Sequence, residues 1–78
     1  MHVAHKHRLF AKLRGAFMEK GIDQEYVAEY INRSVWYVTR RMCGHEDWLL
    51  SEMYALLDLV KADPEELHEY FPKGGNSI

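Results

Sequence analysis

Twice between residues 21 and 34, a residue that tolerates left-handed φ stands two positions before a residue that caps helices: Gly21 before Asp23, and Asn32 before Ser34. Glycine closes a helix without a Cβ penalty, and asparagine is among the few other residues that visit this region. The Asp or Ser side chain then accepts hydrogen bonds from the first free N–H groups of the next helix. Two such stop-and-start signals make the helix between them short and leave it almost no connection to the next one. No stretch of the chain alternates apolar and polar residues as a half-buried strand does. The pattern predicts short helices joined by tight turns.

The 78 residues suffice for one small domain, and 47% hydrophobic with 28% charged residues is a globular composition. Upstream of the punctuation, Leu9, Leu13, Ala16 and Phe17, with Phe10 beside them, form the stripe of a first amphipathic helix that ends at Gly21. The second helix, opened by Asp23, turns Val27, Ala28 and Ile31 inward. A third starts at Ser34, runs through Met42 and stops near Gly44. His45-Glu46-Asp47-Trp48 reads as a polar loop with one aromatic anchor. From Leu50 to about Ala62 the stripe Leu50, Met53, Leu56 or Leu57, and Val60 marks a fourth helix. Asp63-Pro64-Glu65-Glu66 combines an N-cap, a proline at the first helical position and a capping-box glutamate, which opens a short fifth helix carrying Leu67, Tyr70 and Phe71. Met18, Met42 and Met53 fall at core spacing. The expected architecture is all-α, one five-helix domain over residues 8–72, with a flexible arm at 1–7 and a disordered tail at 73–78.

Helices two and three are joined too closely to lie comfortably antiparallel, so they should cross steeply. Residues 24–44 resemble the Cro/repressor-type helix-turn-helix. Gln24 opens the second helix, Ala28 sits where the two helices touch, Asn32 makes the turn, Ser34 caps the third helix and Gly44 closes it. The resemblance extends through Leu13-Arg14-Gly15, Glu19-Lys20-Gly21, Ser51-Glu52-Met53-Tyr54 and Pro64-Glu65-Glu66-Leu67 to Tyr70-Phe71-Pro72, and it is to the small Cro-like regulators of phages and their hosts. It implies a lambda-repressor-like fold and a cytoplasmic transcriptional regulator that binds double-stranded DNA. Two positions depart from the pattern. Arg33 stands where an aliphatic residue is usual, and Leu49 stands where a Thr or Ser commonly caps helix four.

A helical wheel places Val38, Met42 and Val35 on one side of helix three and Trp36 with Arg40 on the other, flanked by Thr39 and Tyr37. The outer side would enter a major groove, which admits an α-helix and displays a distinct pattern for each base pair. Arg40 suits guanine, Thr39 a base edge or phosphate, and Val35 or Trp36 a thymine methyl. The resemblance adds Gln24 and Ser34 near the backbone or adjacent bases. Phosphate contacts are expected from Lys6, Arg8, Arg33, Ser34, Tyr37, Arg41 and His45, although Arg41 also suits an internal ion pair. Charge supports a polarised surface: residues 1–45 carry eight Lys/Arg against four Asp/Glu, and residues 46–78 carry two against eight. Two-fold symmetry would double the phosphate contacts, so a homodimer on a pseudo-palindromic operator is expected, joined through the end of helix four, helix five or Tyr70-Phe71. The rival reading is a protein-binding module, such as an antirepressor or an inhibitor of a host system, using the aromatic pair Trp36 and Tyr37.

Other chemistry finds little support. His2, His5 and His7 lie in a tail with no helix to fix them, and Cys43 has only His45 near it, so no metal, cofactor or nucleophile is expected. The carboxylates of the second half form no acid and base pair, which argues against an enzyme. One cysteine fits a reducing compartment, and neither a signal peptide nor a membrane-spanning run is legible.

Overall fold

A computed structural model describes residues 9–72. Its helices are α1 (Ala11–Lys20), α2 (Gln24–Ile31), α3 (Val35–Met42), α4 (Leu50–Leu59) and α5 (Leu67–Tyr70), with a 3-10 turn at Pro64–Glu66 before the last. No strand occurs among the described residues, and no helix there is long and apolar enough to cross a membrane. The expected arm at 1–7 and tail at 73–78, with Lys6, Arg8 and the histidines His2, His5 and His7, lie outside the described residues.

The local punctuation acts as its chemistry dictates. Gly21 closes α1 at φ 69°, and the Ile22 N–H donates to the Phe17 carbonyl at 2.8 Å. Asp23 then accepts from the Tyr26 N–H at 2.8 Å. Asn32 repeats the closure at φ 61°, with the Arg33 N–H donating to the Ala28 carbonyl at 2.8 Å, and Ser34 Oγ accepts from the Tyr37 N–H at 3.1 Å. Ala28, only 3% exposed, lets α2 and α3 pack closely. Arg14 of α1 braces the far end of α3: its Nη2 donates to the Met42 carbonyl at 2.7 Å, where the helix dipole presents negative charge.

One contiguous core joins Leu13 and Phe17 of α1, Val27 and Ala28 of α2, Val38 and Met42 of α3, and Met53, Leu56 and Leu57 of α4. Three aromatic residues from outside the helices complete it. Phe10, Trp48 and Phe71 are all nearly inaccessible, with ring centroids 5.8 to 6.5 Å apart in tilted or edge-on contact.

Several expectations from the sequence are corrected. Phe10 is not part of helix one but precedes it at φ 56°, which aims its ring inward. Leu50 lies outside the core at 56% exposure, whereas Trp48, two residues earlier, is 3% exposed within it. The fourth helix stops at Leu59 rather than near Ala62, since Lys61 adopts φ 62° and Ala62 donates back to the Leu57 carbonyl at 2.9 Å. Helix five opens as a 3-10 turn: Asp63 accepts from the Glu65 N–H at 2.9 Å, and Glu66 reaches back to the Asp63 N–H at 3.4 Å. Met18 is exposed rather than packed, and Ile31 and Leu67 are only partly buried. Phe71 is wholly inside, so Tyr70-Phe71 does not form an exposed dimer patch.

Candidate functional site

Only Val38 and Met42 of α3 enter the core; Val35 and Trp36 are exposed, and Tyr37, Thr39, Arg40 and Arg41 are half-buried along its flanks. Its outer side presents Trp36 at 69% exposure, and Val35, expected on the inner side with Val38 and Met42, is instead 41% exposed, because it lies in the first turn of α3, outside the core that Val38 and Met42 enter. One turn beyond Trp36, the Arg40 guanidinium carbon lies over the indole, 5.0 Å from the ring centroid. Exposed Ser34 and Arg33 sit at the N-terminal end of α3, and exposed His45 at its C-terminal end. Thr39 is half-buried and donates its hydroxyl to Gln24 Oε1 at 2.7 Å, which links the start of α2 to the middle of α3. The structure therefore brings Gln24, Arg33, Ser34, Val35, Trp36, Thr39 and Arg40 onto the paired helices α2 and α3 and the turn between them.

Against the inner flank of α3 lies a buried carboxylate, one of the second-half acids that form no acid and base pair in the sequence. Glu52 of α4 is 6% exposed. Its Oε1 accepts from the Leu49 N–H at 3.0 Å, its Oε2 accepts from the Tyr37 hydroxyl, and the Arg33 and Arg41 Nε atoms lie 3.6 and 3.8 Å away. The two guanidinium carbons also lie over the Tyr37 ring, at 4.6 and 3.5 Å. A buried carboxylate needs such partners, because an isolated charge would cost several kcal/mol. Burial, reinforced by the bond to Glu52, pushes the Tyr37 hydroxyl above its ordinary pKa, although the arginines oppose this. Arg33 at the turn, unusual for the resembling family, is thus explained by an acid below it. Tyr37 and Arg41, expected as phosphate contacts, are occupied internally, and the Arg41 side chain is only 12% exposed.

A second carboxylate, Glu46 in the loop after α3, bridges two arginines. Its Oε2 accepts from Arg40 Nε at 3.1 Å and its Oε1 from Arg41 Nη1 at 2.8 Å. The hydrogen bond from Arg40, with the charge of both guanidinium groups, holds Glu46 below the usual carboxylate range. The expected basic cluster is thereby interleaved with acids. With leucine rather than Ser or Thr at the N-cap, Leu49-x-x-Glu52 carries only half of a capping-box signal, and Glu46 follows Arg40 at a spacing no helix rule selects.

An open groove of about 510 Å³ runs beside the turn, lined by Asp23, Glu25, Tyr26, Glu29, Arg33 and Val35 among others, and its carboxylates disfavour an anionic occupant. Cys43 caps α3 as a free, half-buried thiol. Among the described residues, no group of three or more His, Cys, Asp or Glu side chains is placed to hold a metal. No protein-family model, curated protein or solved structure matches the chain.

Proposed function

We propose that the chain is a helix-turn-helix protein that reads double-stranded DNA with α3, acting as a Cro/repressor-type transcriptional regulator. The observation that carries this reading is the outer face of α3. A helix anchored by two residues presents exposed Val35 and Trp36 and half-buried Arg40 outward, with a capped N-terminus at Ser34. Such a helix fits a major groove, with Arg40 on guanine, Trp36 or Val35 on a thymine methyl, and Thr39 and Gln24 at the flank. Arg33, Ser34 and His45 would meet phosphates, assisted by Lys6 and Arg8. A homodimer would double these few contacts on a pseudo-palindromic site.

A second reading has its own observation. Residues 9–72 carry seven Lys/Arg against twelve Asp/Glu, and each arginine on or beside α3 faces a carboxylate. An exposed Trp36 beside arginines already paired with carboxylates also suits a protein partner.

Gel-shift or anisotropy titrations against the DNA flanking its own gene and a randomised duplex pool, at two salt concentrations, separate the two. DNA reading predicts binding that weakens steeply with salt. Arg40→Ala should then cost about 1–3 kcal/mol and relax one base pair, whereas Arg33→Ala should weaken all sequences alike. The DNA reading fails if no duplex binds in a salt-sensitive way while Trp36→Ala abolishes a protein complex that Arg40→Ala leaves intact.

A further inference from the structure

Arg40 is the longest polar side chain on the open face of α3, and it is held from two sides. Its guanidinium lies over Trp36, one turn earlier, and its Nε donates to Glu46 Oε2 at 3.1 Å. Glu46 is itself fixed, because its other oxygen accepts from Arg41 Nη1 at 2.8 Å and Arg41 is packed against the Tyr37 ring. A free arginine has many rotamers, and any ligand must overcome the entropy of fixing one. Here much of that freedom is already lost. Engagement of Nε also determines which edge of the guanidinium remains for a ligand: the two terminal nitrogens, a pair of coplanar donors that matches the O6 and N7 acceptors of guanine.

Resting on the DNA-binding reading above, we propose that Glu46 is a positioning residue for base recognition. It holds Arg40 so that the two terminal nitrogens meet the O6/N7 edge of a guanine, and Trp36 lies against the neighbouring base pair, where a thymine methyl fits the indole. The carboxylate does not touch the base. It acts through Arg40, and Arg41 serves as its anchor rather than as a phosphate contact.

The rival role for Glu46 is simple neutralisation of two arginines, and the two roles predict different behaviour when its charge is removed. A neutralising acid lost as Glu46→Gln or Glu46→Ala strengthens binding to every duplex and steepens the salt dependence, because a net positive charge is gained, and leaves base discrimination as it was. A positioning acid lost in the same way leaves or strengthens non-specific binding but erodes the preference at one base pair. A glutamine retains one acceptor oxygen and so cannot hold both arginines as the carboxylate does.

The experiment is selection from a duplex pool randomised over about 20 base pairs, two helical turns, with wild type, Arg40→Ala, Glu46→Gln, Glu46→Ala and Trp36→Ala, followed by anisotropy titration of the enriched duplex and of duplexes changed at its guanine. Circular dichroism melts confirm that each variant is folded; Glu46 is 43% exposed, so its replacement leaves the core untouched. The expected result is discrimination at one guanine of about 5- to 150-fold in the wild type. Arg40→Ala should abolish it, both Glu46 variants should largely lose it without loss of non-specific affinity, and Trp36→Ala should weaken the preference for an adjacent thymine. If the guanine preference depends on Arg40 but survives both Glu46 substitutions, or if no guanine depends on Arg40, the positioning role is overturned while the DNA reading stands. If the wild type enriches no duplex in a salt-sensitive way, the DNA reading itself falls and this role falls with it.

Discussion

Tyr37 shows how much one side chain on α3 is asked to do. Its ring lies beneath two guanidinium groups and its hydroxyl donates to the buried Glu52, so it binds the α2–α3 turn, α3 and α4 into one polar junction. Burial first, then the bond to Glu52, disfavours the phenolate and raises the pKa. The hydroxyl of Tyr30, which donates to Asp58 at 2.9 Å, is raised as well, chiefly by that bond. For a group raised in the folded state, the stabilisation is fully present below the unfolded pKa, about 10 for tyrosine, and is lost as pH rises through the folded value. Ultraviolet titration of tyrosinate should therefore show two residues ionising above the ordinary range. Tyr37→Phe should remove one of them and flatten part of the fall in stability above pH 10. An alkaline limb unchanged by Tyr37→Phe would show that the hydroxyl is not held by Glu52 in solution.

At the scale of elements, α4 begins with an incomplete cap. Glu52 accepts from the Leu49 N–H, which is half of a capping box, but leucine has no oxygen to accept from the N–H groups of the first turn. Leu49 is 48% exposed, so replacing it sacrifices little buried area. Leu49→Ser should complete the cap and raise stability by about 0.5–1 kcal/mol, read as a higher urea midpoint at constant slope. A loss of stability instead would show that the buried half of the Leu49 side chain outweighs the added cap. By contrast α2 and α3 have complete caps at Asp23 and Ser34, which suits two short helices whose mutual angle depends on a three-residue turn.

At the scale of the molecule, the fold is closed by residues that belong to no helix. Phe10 enters from before α1, Trp48 from the loop before α4 and Phe71 from after α5, and their rings meet. This brings the start, middle and end of the described chain into one contact. A domain of this size has a stability of only about 4–12 kcal/mol. Phe71→Ala, which removes a ring with no solvent exposure, should cost about 3–5 kcal/mol. Trp48 emission, recorded in a Trp36→Phe background so that only the buried indole reports, should shift to the red as the cluster loosens. If melting temperature and emission both stay unchanged, the chain end does not pack as described.

The order of residues by itself determined where helices stop and start between Gly21 and Ser34, that Leu13, Phe17, Val27, Ala28, Val38 and Met42 face inward, and that Asp63-Pro64 opens a new turn. These outcomes depend on φ preferences and hydrogen bonds within four residues, so their causes sit side by side in the chain. Burial of Trp48 in place of Leu50, the inward aim of Phe10 and the loss of Phe71 from the surface were decided only by packing between segments far apart in sequence. The same holds for the site. Its outer residues Trp36 and Arg40 follow from helical periodicity, but Glu46 and Glu52 acquire their roles because the fold sets a loop and α4 against the arginines of α3 and its turn. Coulombic attraction acts across space, not along the chain, and spacing along the chain carries no record of which acid will meet which base.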